Sequence, residues 1–185
     1  MRIIAGTHGS RRFDAPDGKE TRPTLDKVRE AVFSSLGGFF DGGAVLDLYA
    51  GSGAVGFEAL SRGKDNAVFV DCSKDAVRVI RKNIDTLGFA ERSLVLPVRA
   101  EKAVRLLAEK GQTFDLIYLD PPYRLQENVR VIELIQSCGL LAEDAVLVIE
   151  SLKEERFPET IGTLVRYKEA CYGISRISYY RNQAE

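Results

Sequence analysis

The chain has no tryptophan, one methionine, one histidine and three cysteines in 185 residues. A single His8 excludes a histidine cluster, and Cys72, Cys138 and Cys171 form no CxxC pair, so no zinc-ligand spacing is present. The odd, scattered cysteines also exclude a disulfide framework and fit free thiols in a reducing compartment. No stretch approaches the roughly 18 apolar residues of a membrane span, and Met1-Arg2-Ile3-Ile4-Ala5-Gly6 is too short for a signal-peptide apolar region. A cytoplasmic location is expected. Charge of one sign is not in excess either: 26 Lys and Arg face 27 Asp and Glu, a net charge of −1. This excludes a uniformly basic nucleic-acid binder, so any RNA or DNA contact must come from a local patch. Internal repeats and low-complexity linkers are absent. With 45% hydrophobic and 29% charged residues, the usage is that of a soluble globular chain able to bury a core.

Proline is scarce, six in all, yet two of the six are adjacent. Phe114–Leu119 is an apolar run suited to a buried central strand, and Asp120-Pro121-Pro122-Tyr123 ends it. Two prolines cannot continue a ladder, because they lack the N–H and fix φ. A carboxylate, rigid carbonyls and an aromatic face are thus gathered at a strand's carboxyl end, where open α/β sheets bind ligands. Such a corner can stack a flat base and accept both hydrogens of a primary amine. A plain strand-to-turn punctuation, with Tyr123 merely packing, is the competing reading.

From residue 44 onward, apolar runs alternate with helical patterns, as in a parallel doubly wound sheet. Strands are predicted at Ala44–Tyr49, Asn66–Val70, Ser93–Val98, Phe114–Leu119 and Ala145–Glu150, with helices at 54–62, 75–87, 101–110 and 127–138. Leu164–Cys171 and Ile174–Arg181 flank Tyr172-Gly173 as an antiparallel hairpin. Five parallel strands and a terminal hairpin make the α/β layout of a class I methyltransferase, Rossmann-like and mostly parallel. Before residue 40, Arg2–Gly6 and Arg11–Ala15 are expected to pair around the Gly6–Ser10 turn. A helix capped by Thr24 should follow, with Leu25, Val28, Val32 and Leu36 on one face. The expected division is an extension at 1–40 and a catalytic domain at 41–185.

Gly51, Gly53 and Gly56 satisfy G-x-G-x-x-G between strand and helix, and Asp71 follows about twenty residues later. On pattern alone this is a dinucleotide fingerprint. Asp47 speaks against it, because a carboxylate just upstream opposes a pyrophosphate that needs a bare, positive helix start. The same carboxylate suits S-adenosylmethionine, whose bound end carries an ammonium and a sulfonium. Asp71 serves either ligand, since both present a ribose diol.

Val45–Gly63, Asp120–Tyr123, Arg22-Pro23-Thr24 and Arg29-Glu30-Ala31-Val32-Phe33 together resemble the bacterial 16S ribosomal RNA (guanine-N2)-methyltransferases that modify guanine 966. The likeness spans nearly the whole chain, including Gly6, Gly9 and Arg11. It implies an enzyme in which Asp47, Gly51 and Gly53 hold the methionine end of S-adenosylmethionine, Asp71 the ribose and Asp120–Tyr123 the target base. Tyr49, Ser52, Cys72, Ala100, Glu101 and Asp120 complete the expected donor site. The implied partner is 16S rRNA within the small ribosomal subunit, with no metal, no membrane and a monomeric protein. Two positions depart from the family pattern: Arg99 stands where an acid beside the adenine is usual, and Ser34 where an asparagine is expected.

By this reading the Asp120 carboxylate and the Pro121 carbonyl accept the two N–H groups of guanine N2, Pro122 stiffens the corner, and Tyr123 stacks on the base. Arg2, Arg11, Arg12, Lys19, Arg22, Lys27 and Arg29 are expected as a group to make a phosphate clamp on the extension, with Thr24 a further expected substrate contact; a solvated surface turn and helix face is the competing reading. Spacing and charge do not separate guanine N2 from adenine N6, so that choice rests on the resemblance. A DNA adenine-N6 or cytosine-N4 methyltransferase can use the same tetrapeptide, although 185 residues leave little room for a target-recognition domain. A protein-glutamine methyltransferase generally has Asn in place of Asp120. An NAD-dependent oxidoreductase is opposed by Asp47, and a donor-binding module without catalysis by the intact tetrapeptide.

Overall fold

The computed structural model describes residues 1–17, 23–122 and 125–183. It divides into two compact units, Met1–Pro97 and Val98–Glu185. In the first, helix α1 (Pro23–Ser35) precedes β1 (Ala44–Leu48), α2 (Ala54–Ser61), β2 (Asn66–Val70), α3 (Lys74–Leu87) and β3 (Ser93–Leu96). The three strands are parallel in the order β3-β2-β1. Both β1 and β2 are buried over their last four residues, as expected of strands covered on two faces. Helix α3 is amphipathic, burying Ala76, Val77, Val79, Ile80, Asn83, Ile84 and Leu87. Ser73 caps its start and Gly88, at φ 77°, its end.

The expected N-terminal pairing is present but minimal, a single antiparallel bridge between Arg2 and Arg12. Hydrogen bonds from the Ile3 N–H to the Arg11 carbonyl (2.9 Å) and from the Ser10 N–H to the Ile3 carbonyl (2.8 Å) flank it. Gly6, at φ 88°, lies flat on α2: an added Cβ would meet the Ser61 carbonyl oxygen at 1.9 Å. Thr24 is the second residue of α1 rather than its cap, because Pro23 takes the first position, where a missing N–H costs nothing. On the expected α1 face Val28 and Val32 are buried, whereas Leu25 is 43% exposed.

In the second unit, α4 (Ala100–Glu109), β4 (Phe114–Leu119) and α5 (Leu125–Ser137) lead to β5 (Leu141–Leu152), β6 (Thr160–Ile161), β7 (Leu164–Tyr172) and β8 (Ser175–Asn182). The strand order is β4-β5-β8-β7-β6, parallel between β4 and β5 and antiparallel thereafter. Strand β5 begins four residues earlier than predicted. Its register shifts between Phe114 and Leu116 of the partner, and Asp144 sits at φ 56°. A second irregularity falls between Arg166 and Lys168 of β7. Buried Arg176 donates to the Lys153 carbonyl and to Glu169, tying the chain after β5 to the hairpin. The fold is mixed α/β, with parallel strands joined through helices and a C-terminal antiparallel set.

Candidate functional site

The glycine loop starts where β1 ends. Tyr49, Gly51 and Gly53 all have positive φ, at 62°, 58° and 82°. Glycine relieves two of these three turns at no steric cost. The Gly53 N–H closes the loop on the Ala50 carbonyl at 2.8 Å. Gly53 then stands at the N-cap of α2 without a side-chain cap. Asp47 supplies one instead, its Oδ2 accepting the Gly56 N–H at 3.0 Å. With 2% of its surface exposed, this carboxylate sits under the helix start and offsets the positive end of the dipole. A pyrophosphate therefore meets an amide already engaged and a field already compensated, whereas a cationic ligand end is favoured. Gly56 must stay bare for another reason: a Cβ there would come within 2.3 Å of the Phe69 ring.

Asp71, at the carboxyl end of β2, is joined directly to this loop. Its Oδ2 accepts the Gly51 N–H and its Oδ1 the Ser73 N–H, each at 2.9 Å. Each oxygen keeps a further lone pair, so the carboxylate can still accept ribose hydroxyls. Cys72 beside it is an exposed free thiol. The loop has one more anchor, which the sequence reading missed. Asn83, 1% exposed, donates from Nδ2 to the Ser52 carbonyl at 3.2 Å and to the Asp14 carbonyl at 2.9 Å, while Oδ1 accepts the Asp14 N–H at 2.9 Å. An asparagine between Ile80 and Ile84 on the buried face of α3 was the available signal, since a buried amide needs partners.

The expected phosphate clamp is only partly free to act. Arg12 is exposed and lines an open depression of about 370 Å³ with Phe13, Lys82 and Thr86. Arg11 donates to the Thr86 and Leu87 carbonyls at 2.7 and 3.0 Å, closing the C-terminal end of α3. Arg29 differs from expectation. It is 7% exposed and bonds the Arg2 carbonyl (2.6 Å) and Asp26 (3.1 Å), with Glu58 at 3.5 Å. Glu58, fully buried, also accepts the Ile4 and Ala5 N–H groups at 2.9 and 3.1 Å and the Arg62 Nε at 2.7 Å. Arg29 is therefore a structural cation that anchors the N-terminal segment. Lys19, Arg22 and Tyr123 lie outside the described residues, as does the Thr24 side chain.

In the second unit β4 is buried from Leu116 through Leu119, and the next residue, Asp120, is exposed, with Pro121 half-buried and Pro122 exposed. The carboxylate and the first proline of the expected corner thus emerge at the carboxyl end of a buried strand. Beneath it, the Tyr118 hydroxyl donates to Glu150 Oε2 of β5 at 2.8 Å. Ala100 is buried at 3% exposure and Glu101 exposed in the first turn of α4, whose N-cap is Arg99. Among the described residues no group of three or more His, Cys, Asp or Glu could hold a metal ion, and no helix is long and apolar enough to cross a membrane.

The family described as conserved hypothetical protein 95 matches residues 1–181. The chain belongs to this family. A Bacillus subtilis (strain 168) relative named "Putative rRNA methyltransferase YlbH" is 39% identical over 183 residues, covering 99% of this chain and all of the relative. The Escherichia coli (strain K12) protein named Ribosomal RNA small subunit methyltransferase D is 31% identical over 185 residues, covering 100% of this chain and 91% of its own. A solved structure titled "Putative methyltransferase yhhF from Escherichia coli" superposes with a TM-score of 0.87 at 32% identity, covering 100% of this chain and 99% of that one. The resemblance read from the motifs and the class I methyltransferase fold both stand.

Proposed function

We propose that this protein transfers a methyl group from S-adenosylmethionine to the exocyclic N2 of a guanine in 16S rRNA of the small ribosomal subunit. One observation carries the reading: a buried strand ends by exposing Asp120 beside Pro121 and Pro122, in a family whose relatives are named rRNA methyltransferases. The donor-binding set is Asp47, Tyr49, Gly51, Ser52, Gly53, Asp71, Cys72 and Asp120, with Ala100 and Glu101 on the adenine side. The loop and Asp71 hold each other through backbone N–H groups, so the ribose acceptor is fixed before any ligand arrives. Asp47 sets negative charge under the loop, which favours the amino acid end of S-adenosylmethionine over a diphosphate. When bound, this group supplies a methyl on a positively charged sulfur.

The remaining work belongs to the chain's own residues. Guanine N2 is a poor nucleophile because its lone pair is delocalised into the ring. The Asp120 carboxylate and the Pro121 carbonyl accept its two hydrogens, drawing the nitrogen toward a tetrahedral shape. Tyr123 stacks on the base, a contact worth about 1–3 kcal/mol in comparable sites. Catalysis then rests on alignment and fixed dipoles, with no protein nucleophile, and the proton that N2 gives up on gaining the methyl passes to the Asp120 carboxylate. Segment 1–40 is the RNA-contacting extension, with Arg12 its principal phosphate contact, assisted by Arg11, Arg22 and Thr24. The protein acts as a monomer in the cytoplasm on a prefolded RNA–protein substrate.

The test is transfer of a tritiated methyl group to small subunits from cells lacking the enzyme, followed by nucleoside mass spectrometry. N2-methylguanosine at a single 16S site is expected. Label on adenine N6, or on no nucleoside, overturns the proposal.

A further inference from the structure

We propose that Glu150 is a specificity-determining residue, and that its carboxylate accepts the N1–H of the target guanine. The inference rests on the function proposed above and deepens it, because the Asp120 corner by itself recognises only an amino group. Guanine N2 and adenine N6 each offer two N–H hydrogens to Asp120 and Pro121. What separates the bases is the neighbouring ring atom on the Watson–Crick edge: N1 of guanine carries a hydrogen, and N1 of adenine carries a lone pair. A flipped base is read along that edge. The residue that distinguishes them must be an obligate acceptor beside Asp120.

The second unit supplies one. Strands β4 and β5 are parallel neighbours, with Tyr118 opposite Val148 and Leu119 opposite Ile149. Asp120 therefore leaves β4 alongside Glu150, one strand spacing away, about 4.8 Å. Glu150 is half-buried and its backbone is paired on the other side to Ile177 of β8. Its Oε2 is held by the Tyr118 hydroxyl at 2.8 Å, which fixes the carboxylate on the face that Tyr118 presents. No hydrogen bond is formed by Oε1 among the described residues. An ionised carboxylate offers acceptors and no donors, so it pairs with the N1–H of guanine and faces the N1 lone pair of adenine with like polarity. A site built to bond one ring hydrogen rejects the analogue lacking it.

The experiment uses small-subunit RNA assembled with its ribosomal proteins and bearing either guanine or 2-aminopurine at the target position. 2-Aminopurine keeps the amino group on C2 but has no hydrogen on N1. Wild type should prefer guanine about tenfold to a hundredfold in kcat/KM. Glu150→Gln can turn an N–H toward the bare N1, so the preference should fall to within about threefold, with 2-aminopurine fluorescence reporting tighter binding of the analogue. Tyr118→Phe, which leaves the carboxylate but removes its tether, should narrow the preference part-way. Calorimetric S-adenosylmethionine affinity should be unchanged in both variants, which shows that they fold. A purely structural Glu150 would slow both substrates equally and leave the ratio as in wild type, overturning the inference. So would a wild type indifferent to the two bases. A wild type that methylates neither amino group instead refutes the underlying function.

Discussion

Replacing Glu58 by Ala probes how the N-terminal segment is held. The carboxylate is fully buried and receives two backbone N–H groups and two guanidinium groups. Its removal strands Arg62, at 5% exposure, as a buried cation without its counter-charge, and leaves Arg29, at 7%, with Asp26 alone. Breaking a buried pair from one side costs about 3–5 kcal/mol, because the partner's desolvation is no longer offset. For a chain of this length that corresponds to a fall in Tm of roughly 6–20 °C. Differential scanning calorimetry reads the fall directly, and hydrogen exchange locates it, since the Ile4 and Ala5 amides should lose protection. A combined Glu58→Leu, Arg29→Met, Arg62→Leu variant should recover much of the loss, because apolar residues of similar volume carry no desolvation penalty. A Tm drop below about 3 °C in Glu58→Ala would refute the argument. A triple variant no more stable than the single would also do so, since the cost would then be lost packing rather than stranded charge.

Asp120→Ala should lower turnover by about 10²–10³ at saturating donor, as for loss of one preorganised polar contact; a near-normal rate with donor bound rules out the role. Arg12→Ala should weaken RNA binding and reduce the slope of log K against log salt by about 0.7–0.9, while Tm stays within a degree, and an unchanged slope removes Arg12 from the interface. His8 packs against Phe89 at 4.3 Å, and burial first, then the Arg11 charge, hold its imidazole below the usual value. The fold thus favours neutral His8: its contribution is complete above pH about 6.5 and is lost as pH falls through the folded value. Thermal scans from pH 7.5 to 5 should show a steeper loss in wild type than in His8→Gln, and parallel curves would contradict it.

The parts of this molecule that sequence reveals are those with a strong local rule. Asn66–Val70 and Phe114–Leu119 are mostly apolar runs, broken only by Asn66 and Asp115, and both strands have the predicted bounds. Gly88 ends α3 because only a residue tolerant of positive φ closes a helix that way. Strand β5 was read short because Glu143 and Asp144 interrupt the pattern where the ladder shifts register. Two-residue β6 has too few positions to show a period. The Glu58–Arg29–Arg62 cluster was hidden for a different reason. Charged residues lie at the surface by default, and nothing in the spacing of 29, 58 and 62 says that they meet. Arg29 was accordingly read as a phosphate contact, whereas its partners are protein groups. In the site, the glycine loop and Asp71 were legible from their spacing. The amide bridge through Asn83 and the carboxylate of Glu150 were not, since each depends on which strand or helix lies alongside.

The outer margin of the hairpin has a consequence for how molecules of this protein behave when crowded. Beyond the short cover of β6, β7 offers its free side to any passing chain. The irregularity at Arg166 and Lys168 puts a kink into that side, and Lys168 stands exposed along it beside half-buried Glu169. A foreign strand laid there would have to follow a broken ladder and strip water from charges of both signs. Straightening the kink, by deleting the unpaired residue and making its neighbours apolar, would turn a self-limiting border into a template for stacking copies end on end.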